Sequence, residues 1–474
     1  MQKHQSAAAQ APYDILSAIF EEMEGPCGDI DFASRMPFIL GSVCRRWRQV
    51  ALSTPAIWTS LRVRLDAGQL QTDWSYVQEW LNRSGQRPLY ICITTSSRNS
   101  SPNWTSLIAL INGCSRRWYE ITLHLPSPAL SLFGGPQQQA PMLRYVDVRC
   151  TNQNIQQPLC LVAARPQIAI VSVFPFDMVS IAWSSLTYVE VFGLPLNRCL
   201  VLLQNAPLLR VSIFFDVRDP DGPLPPHFIH TALQTIKFCT YHGTDTGDMF
   251  FETLTLPRLA KLCFFAQQPG RLPDGSLRHL VERSACVLKE LQIHCIESMV
   301  EGTFLQFLET TPELQRLEIY MDPCSHHYAA PNNLIRRLID TSHLGVAQPF
   351  LPRLAHFGCL SREPIPWSTT VLDLFGPHDK LGDPQYRPLK TVRMNFSLVF
   401  SDSPPGVDLF DENALQCISS LQAAGCELII DCHPDDKSTL STPDLIDQSR
   451  HRLANVRSSH AWTGILLIQI RLNH

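Results

Sequence analysis

Apolar positions along this chain recur with two periods. Near the start, Ile15, Leu16, Ile19, Phe20 and Met23 fall at i, i+1, i+4, i+5 and i+8, one face of a helix with Asp14 as its N-cap. After Gly25, Pro26 and Gly28, a second helix is expected over Phe38 to Leu52. It gathers Leu40, Val43, Cys44, Trp47, Val50 and Ala51 on one face and turns Arg45, Arg46, Arg48 and Gln49 away. Pro55 stops that helix, Ile57 and Trp58 supply two more large apolar groups, and Leu61 to Leu65 alternate as a strand does. A helical module this small buries little surface and has to pack on something else.

Beyond it a longer pattern repeats, Leu-x-x-apolar-x-apolar. Copies begin at Trp118, Leu143, Ile168, Leu186, Leu208, Leu233, Leu259, Leu288, Leu314 and Leu389, with a degenerate one at Leu354. In the Leu208 copy, for example, Val211 and Ile213 are the apolar strand positions. From Leu186 to Leu314 the spacings are 22, 25, 26, 29 and 26 residues, inside the range of leucine-rich repeats. Helices are expected between strands over 72–84, 104–112, 198–204, 250–254, 276–284, 303–309 and 413–424, with Gly85 and Gly425 closing two of them. Loops at 321–333, 361–369 and 376–388 would hold insertions. The expected fold class is α/β: an N-terminal tail (1–11), a short all-helical module (12–65), then a leucine-rich-repeat-like solenoid with a parallel sheet (66–474). An irregular α/β domain with several Leu-rich strands is the alternative.

Composition narrows the function. Of 474 residues, 39 are Lys or Arg and 43 Asp or Glu, so the net charge of −4 leaves no broad basic face for nucleic acid. No apolar run is long enough to suggest a membrane span, and the polar start Gln2 to Gln5 does not read as a signal peptide. The 16 Cys are scattered singly, as reduced core thiols of a soluble cytoplasmic or nuclear protein would be.

Three fragments together resemble the F-box-like domain of basidiomycete fungal F-box proteins: Ile15 to Phe20, Val43 to Ala51, and Thr54 to Leu61. Weaker matches to the degenerate repeats of the same proteins lie at 80–85, 115–118 and 254–259. The resemblance implies a non-catalytic substrate receptor of a Skp, cullin and F-box ubiquitin ligase. The Skp adaptor would be bound through Pro12, Ile15, Leu16, Ile19, Phe20, Val43, Cys44 and Trp47, over a module core of Leu40, Val50, Ile57 and Trp58. The repeats would hold an unknown target protein. Ala11-Pro12-Tyr13-Asp14 stands where the family has Leu-Pro-x-Glu, which keeps open a second reading, an interaction scaffold with a degenerate F-box and no ligase role.

Catalytic chemistry finds little footing. Asp245-Thr246-Gly247 matches an aspartic protease tripeptide, but it occurs once, and its flanks read as a turn where that chemistry needs a second carboxylate and an apolar strand. Cys324, His326 and His327, and Cys426 with Cys432 and His433, are zinc-capable but lack a second ligand pair at finger spacing. Nucleophile-elbow, zincin, dinucleotide and phosphate-loop motifs are missing. No cofactor and no metal are expected.

Overall fold

A short strand with one oily face cannot bury that face alone, so each repeat depends on its neighbours. The computed structural model describes residues 11–22, 30–65, 73–96, 104–133, 139–151, 159–160, 164–172, 179–240, 245–266, 272–295, 301–321, 332–361, 371–377, 380–381, 383–398, 410–434, 447 and 450. The chain forms two units, Met1–Leu224 and Pro225–His474. Both are mixed α/β.

The first unit opens with α1 (Tyr13–Glu22), α2 (Ile30–Val43), α3 (Arg45–Ser53) and a 3-10 turn over Pro55–Trp58. Then come β1 (Ser60–Arg64), α4 (Ser75–Arg83), β2 (Leu89–Thr94), α5 (Trp104–Gly113), β3 (Trp118–Leu125) and α6 (Ser127–Leu130). It closes with β4 (Tyr145–Cys150), β5 (Ile168–Ser172), β6 (Tyr188–Phe192), α7 (Leu196–Asn205) and β7 (Val211–Val217). These seven strands are parallel and pair in chain order. Ile91, Ile121, Val146, Ala169 and Val189 are aligned across β2 to β6 and fully buried, while the alternate residues remain partly exposed except for Cys92 and Asp147, which are buried as well.

Four expectations need correction here. Asp14 lies within the first turn of α1; the carbonyl of Pro12 accepts the Leu16 amide at 3.0 Å and starts the helix two residues earlier. The helix expected over Phe38 to Leu52 is two helices, broken at Cys44, whose extended backbone and thiol form an N-cap, Sγ accepting from the Trp47 amide at 3.4 Å. The Leu208 copy is out of register by one residue: Leu209 and Phe214 are buried, with Ser212, whereas Leu208 is 57% exposed and Val211 and Ile213 face the other side. Both faces of β7 carry apolar residues, so alternation could not decide, and burial of the large Phe214 ring does. The Ile168 copy is shifted by two, with Ala169 and Val171 as the buried pair.

The second unit contains β8 (Thr235–Thr240), α8 (Thr246–Glu252), β9 (Lys261–Ala266), α9 (Asp274–Ser284), β10 (Glu290–Cys295), α10 (Glu301–Glu309) and β11 (Arg316–Met321). It continues with α11 (Asn332–Asp340), β12 (His356–Ser361), β13 (Thr391–Leu398), α12 (Glu412–Ala423) and β14 (Glu427–Pro434). The strands again run parallel in chain order. Ile236, Leu262, Leu291, Leu317, Phe357, Val392 and Leu428 make one buried row across all seven. The Leu354 copy, degenerate by sequence, is a complete strand, and the aspartic-protease-like tripeptide opens a helix: Thr246 and Gly247 are buried in the first turn of α8. Part of the long gap before β12 folds as α11. Beyond β12, Arg387 is buried and donates to the carbonyls of Leu338, Thr341, Phe350 and Leu351 at 2.6, 3.0, 2.7 and 3.1 Å, tying these insertions together.

Candidate functional site

The N-terminal helices divide their apolar residues between a floor and a surface. On α1, Leu16 and Phe20 are buried, while Ile15 and Ile19, each one residue earlier and about 100° around the helix, are 50% and 46% exposed. The helix is fixed in that orientation. Ser17 Oγ meets Thr54 Oγ1 at 3.0 Å, Arg87 binds Glu21 at 2.9 Å, and the Tyr13 hydroxyl meets that of Ser53 at the end of α3. Phe20 and Trp47 meet edge to face at 5.2 Å, so Trp47 is the half-buried wall behind the floor.

On α2, Met36 and Leu40 point inward, while Phe32, Ile39 and Val43 follow one another at i, i+7 and i+11 on an exposed stripe. Phe38 is exposed too, with its ring against Trp58 (6.2 Å) and Trp80 (5.7 Å). Asp31, in the first turn of α2, binds Arg62 of β1 at 2.8 Å, and Arg48 donates to the Gly41 carbonyl at 2.9 Å. Arg45 and Arg46 are exposed at the start of α3.

Of the eight residues expected to contact an adaptor, Pro12, Ile15, Ile19 and Val43 are exposed, Cys44 and Trp47 are half-buried, and Leu16 and Phe20 are interior. The four expected core residues, Leu40, Val50, Ile57 and Trp58, are all buried, with the Trp58 indole donating to the Ala51 carbonyl at 2.7 Å. Phe32 and Ile39 were missed, because a single helix through Cys44 puts Leu40 and Trp47 on the face that matters. The stripe beginning at Phe32 was the available signal. Covering half-exposed Ile15 and Ile19 would contribute about 1 to 2 kcal/mol each, so this surface can bind another apolar surface.

The sheet faces opposite the helices are the second candidate. In the first unit, Asp147 of β4 is nearly covered. Burial would raise its carboxyl, but His124 Nε2 at 3.3 Å and Arg149 Nε at 3.0 Å prevail and hold it below the usual carboxylate range. In the second unit, Phe265, His294 and Tyr320 stack across β9, β10 and β11 at 4.0 and 4.1 Å. Beside them Gln292 donates to Glu318 at 2.6 Å, as do Arg316 Nε at 2.9 Å and the Tyr320 hydroxyl at 3.2 Å.

Among the described residues no three His, Cys, Asp or Glu gather as a metal site. Cys324, His326 and His327, and the side chains of Cys432 and His433, lie outside the described residues. Among those described, no helix is long and apolar enough to cross a membrane. No family model matches the chain, and no curated protein matches it.

Proposed function

We propose that this chain is the substrate-recognition subunit of a Skp–cullin–F-box ubiquitin ligase, holding the Skp adaptor with its N-terminal helices and a target protein with its leucine-rich-repeat-like sheets. The ubiquitin transfer itself belongs to partner subunits. The observation that carries this reading is the exposure of Ile15 and Ile19 on a helix whose other face is locked to α3 and Trp47. A self-contained helical core would turn its isoleucines inward. The decisive experiment is co-purification of the Skp adaptor with the full chain and with Ile15→Ser/Ile19→Ser. The parent should retain the adaptor and the double variant should lose it by about tenfold or more, with unchanged circular dichroism. Equal retention by both, or by neither, refutes the assignment. The second outcome would favour the scaffold reading, in which the helices no longer engage the ligase.

A further inference from the structure

On the open side of the first unit's sheet, most charges already have a partner. Arg62 and Arg64 of β1 bind Asp31, Arg149 and His124 bind Asp147, and Glu190 accepts from the Tyr188 hydroxyl at 3.1 Å. Glu120 of β3 is different. It is half-buried, and among the described residues none pairs with it or donates to it. Burial pushes its carboxyl above the ordinary value, and no cation opposes that shift.

The neighbours of Glu120 are rings. In the aligned row Tyr90, Glu120, Tyr145, Ile168 and Tyr188, running from β2 to β6, it stands between two tyrosines, each one strand spacing or about 4.8 Å away. At the register shift between Leu89 and Tyr90, Tyr119 adds a third ring, 5.5 Å from that of Tyr90. All three tyrosines are half-buried, so each keeps surface for a ligand.

A carboxylate that loses water without gaining a cation is costly, and covered charges are ordinarily paired. Aromatic rings present the negative face of their π-systems, so carboxylate and tyrosines select the same ligand, a positively charged group. Guanidinium fits better than ammonium. It is planar, forks to a carboxylate through two N–H donors, stacks on rings and sheds its weaker hydration more readily.

We propose that Glu120, with Tyr90, Tyr119 and Tyr145, forms a site for an arginine side chain of the target protein. The guanidinium lies on the tyrosine rings and donates two hydrogen bonds to the Glu120 carboxylate. The inference rests on the reading of the repeats as the target-binding part and names one residue type the target has to present.

Saturation-transfer NMR on the full chain tests it with three probes: N-acetyl-arginine methylamide and its lysine and norleucine analogues. The arginine probe should bind about tenfold tighter than the norleucine probe and measurably tighter than the lysine probe, with transfer strongest at its side-chain methylenes. Glu120→Gln keeps the shape, removes the charge and should weaken arginine binding about tenfold. Tyr145→Leu should weaken it and Tyr145→Phe should not, each variant keeping its circular dichroism. The proposal is overturned if the lysine or norleucine probe binds as well as arginine, if none binds, or if folded Glu120→Gln or Tyr145→Leu binds arginine undiminished. It also fails if light scattering shows a dimer that Glu120→Gln dissolves, since an arginine of a second copy would then be the occupant. Adaptor co-purification on the same preparations reports separately on the ligase reading.

Discussion

His294 offers a sharp test of how the second unit's open face is built. Its imidazole lies between the rings of Phe265 and Tyr320, and burial pushes it down to about 4; the Glu318 carboxylate opposes this and Lys237 adds to it. In the unfolded chain the same group titrates near 6.5. The unfolded state therefore takes up the proton first, so stability is full above pH 6.5, falls as the pH drops towards 4, and levels off below that. The interval would be worth about 3 kcal/mol for a sealed site, and solvent access to this partly exposed ring reduces it to about 1 to 2 kcal/mol. Urea unfolding of the full chain at stepped pH, compared with His294→Phe, measures the difference. The parent should lose about 1 to 2 kcal/mol more than the variant on acidification, while a histidine NMR titration keeps this ring neutral at pH 5. An imidazole titrating near 6.5, or equal acid losses in both proteins, would refute the reasoning.

Other substitutions separate interior from surface. Phe20→Ala, at a fully buried ring against Trp47, should cost about 3 to 5 kcal/mol, whereas Ile19→Ser should cost less than about 1 kcal/mol, as read by thermal unfolding. Arg387→Met takes the guanidinium donors from four carbonyls, of which Leu351's keeps the Leu354 amide, and should destabilise by about 3 to 5 kcal/mol, with Arg387→Lys recovering only part because an ammonium cannot reach them all; limited proteolysis between α11 and β13 would show it. Cys44→Ala should remove about 0.5 to 1 kcal/mol through loss of the α3 cap, and Cys44→Ser should keep it.

Where one face of a strand is oily and the other polar, the sequence placed it correctly. The copies at Leu233, Leu259, Leu288 and Leu314 have their apolar pairs buried in the expected register. β7 failed because Val211, Ile213 and Phe215 are as apolar as Leu209 and Phe214, so only packing selects the face. β14 carries no leading Leu and was not read, although Leu428 and Ile430 complete the buried rows. In the helical module the apolar residues were identified but not sorted. A break at Cys44 depends on one thiol-to-amide contact, which periodicity does not register, and it decides whether Ile39 or Leu40 faces outward.

Among the described residues the strand that begins the sheet, β1, has a strand neighbour on one side only, β2, and α2 packs beside it with Asp31 bound to Arg62. The helical module thus shields an edge whose amides and carbonyls would otherwise recruit strands from other molecules. Cutting the chain before Ser60 would leave that edge bare and invite aggregation, so a lost interaction in such a truncation would report on clumped protein. Single side-chain changes at Ile15 and Ile19 avoid this, because they alter what the module presents while leaving its shielding of the sheet in place.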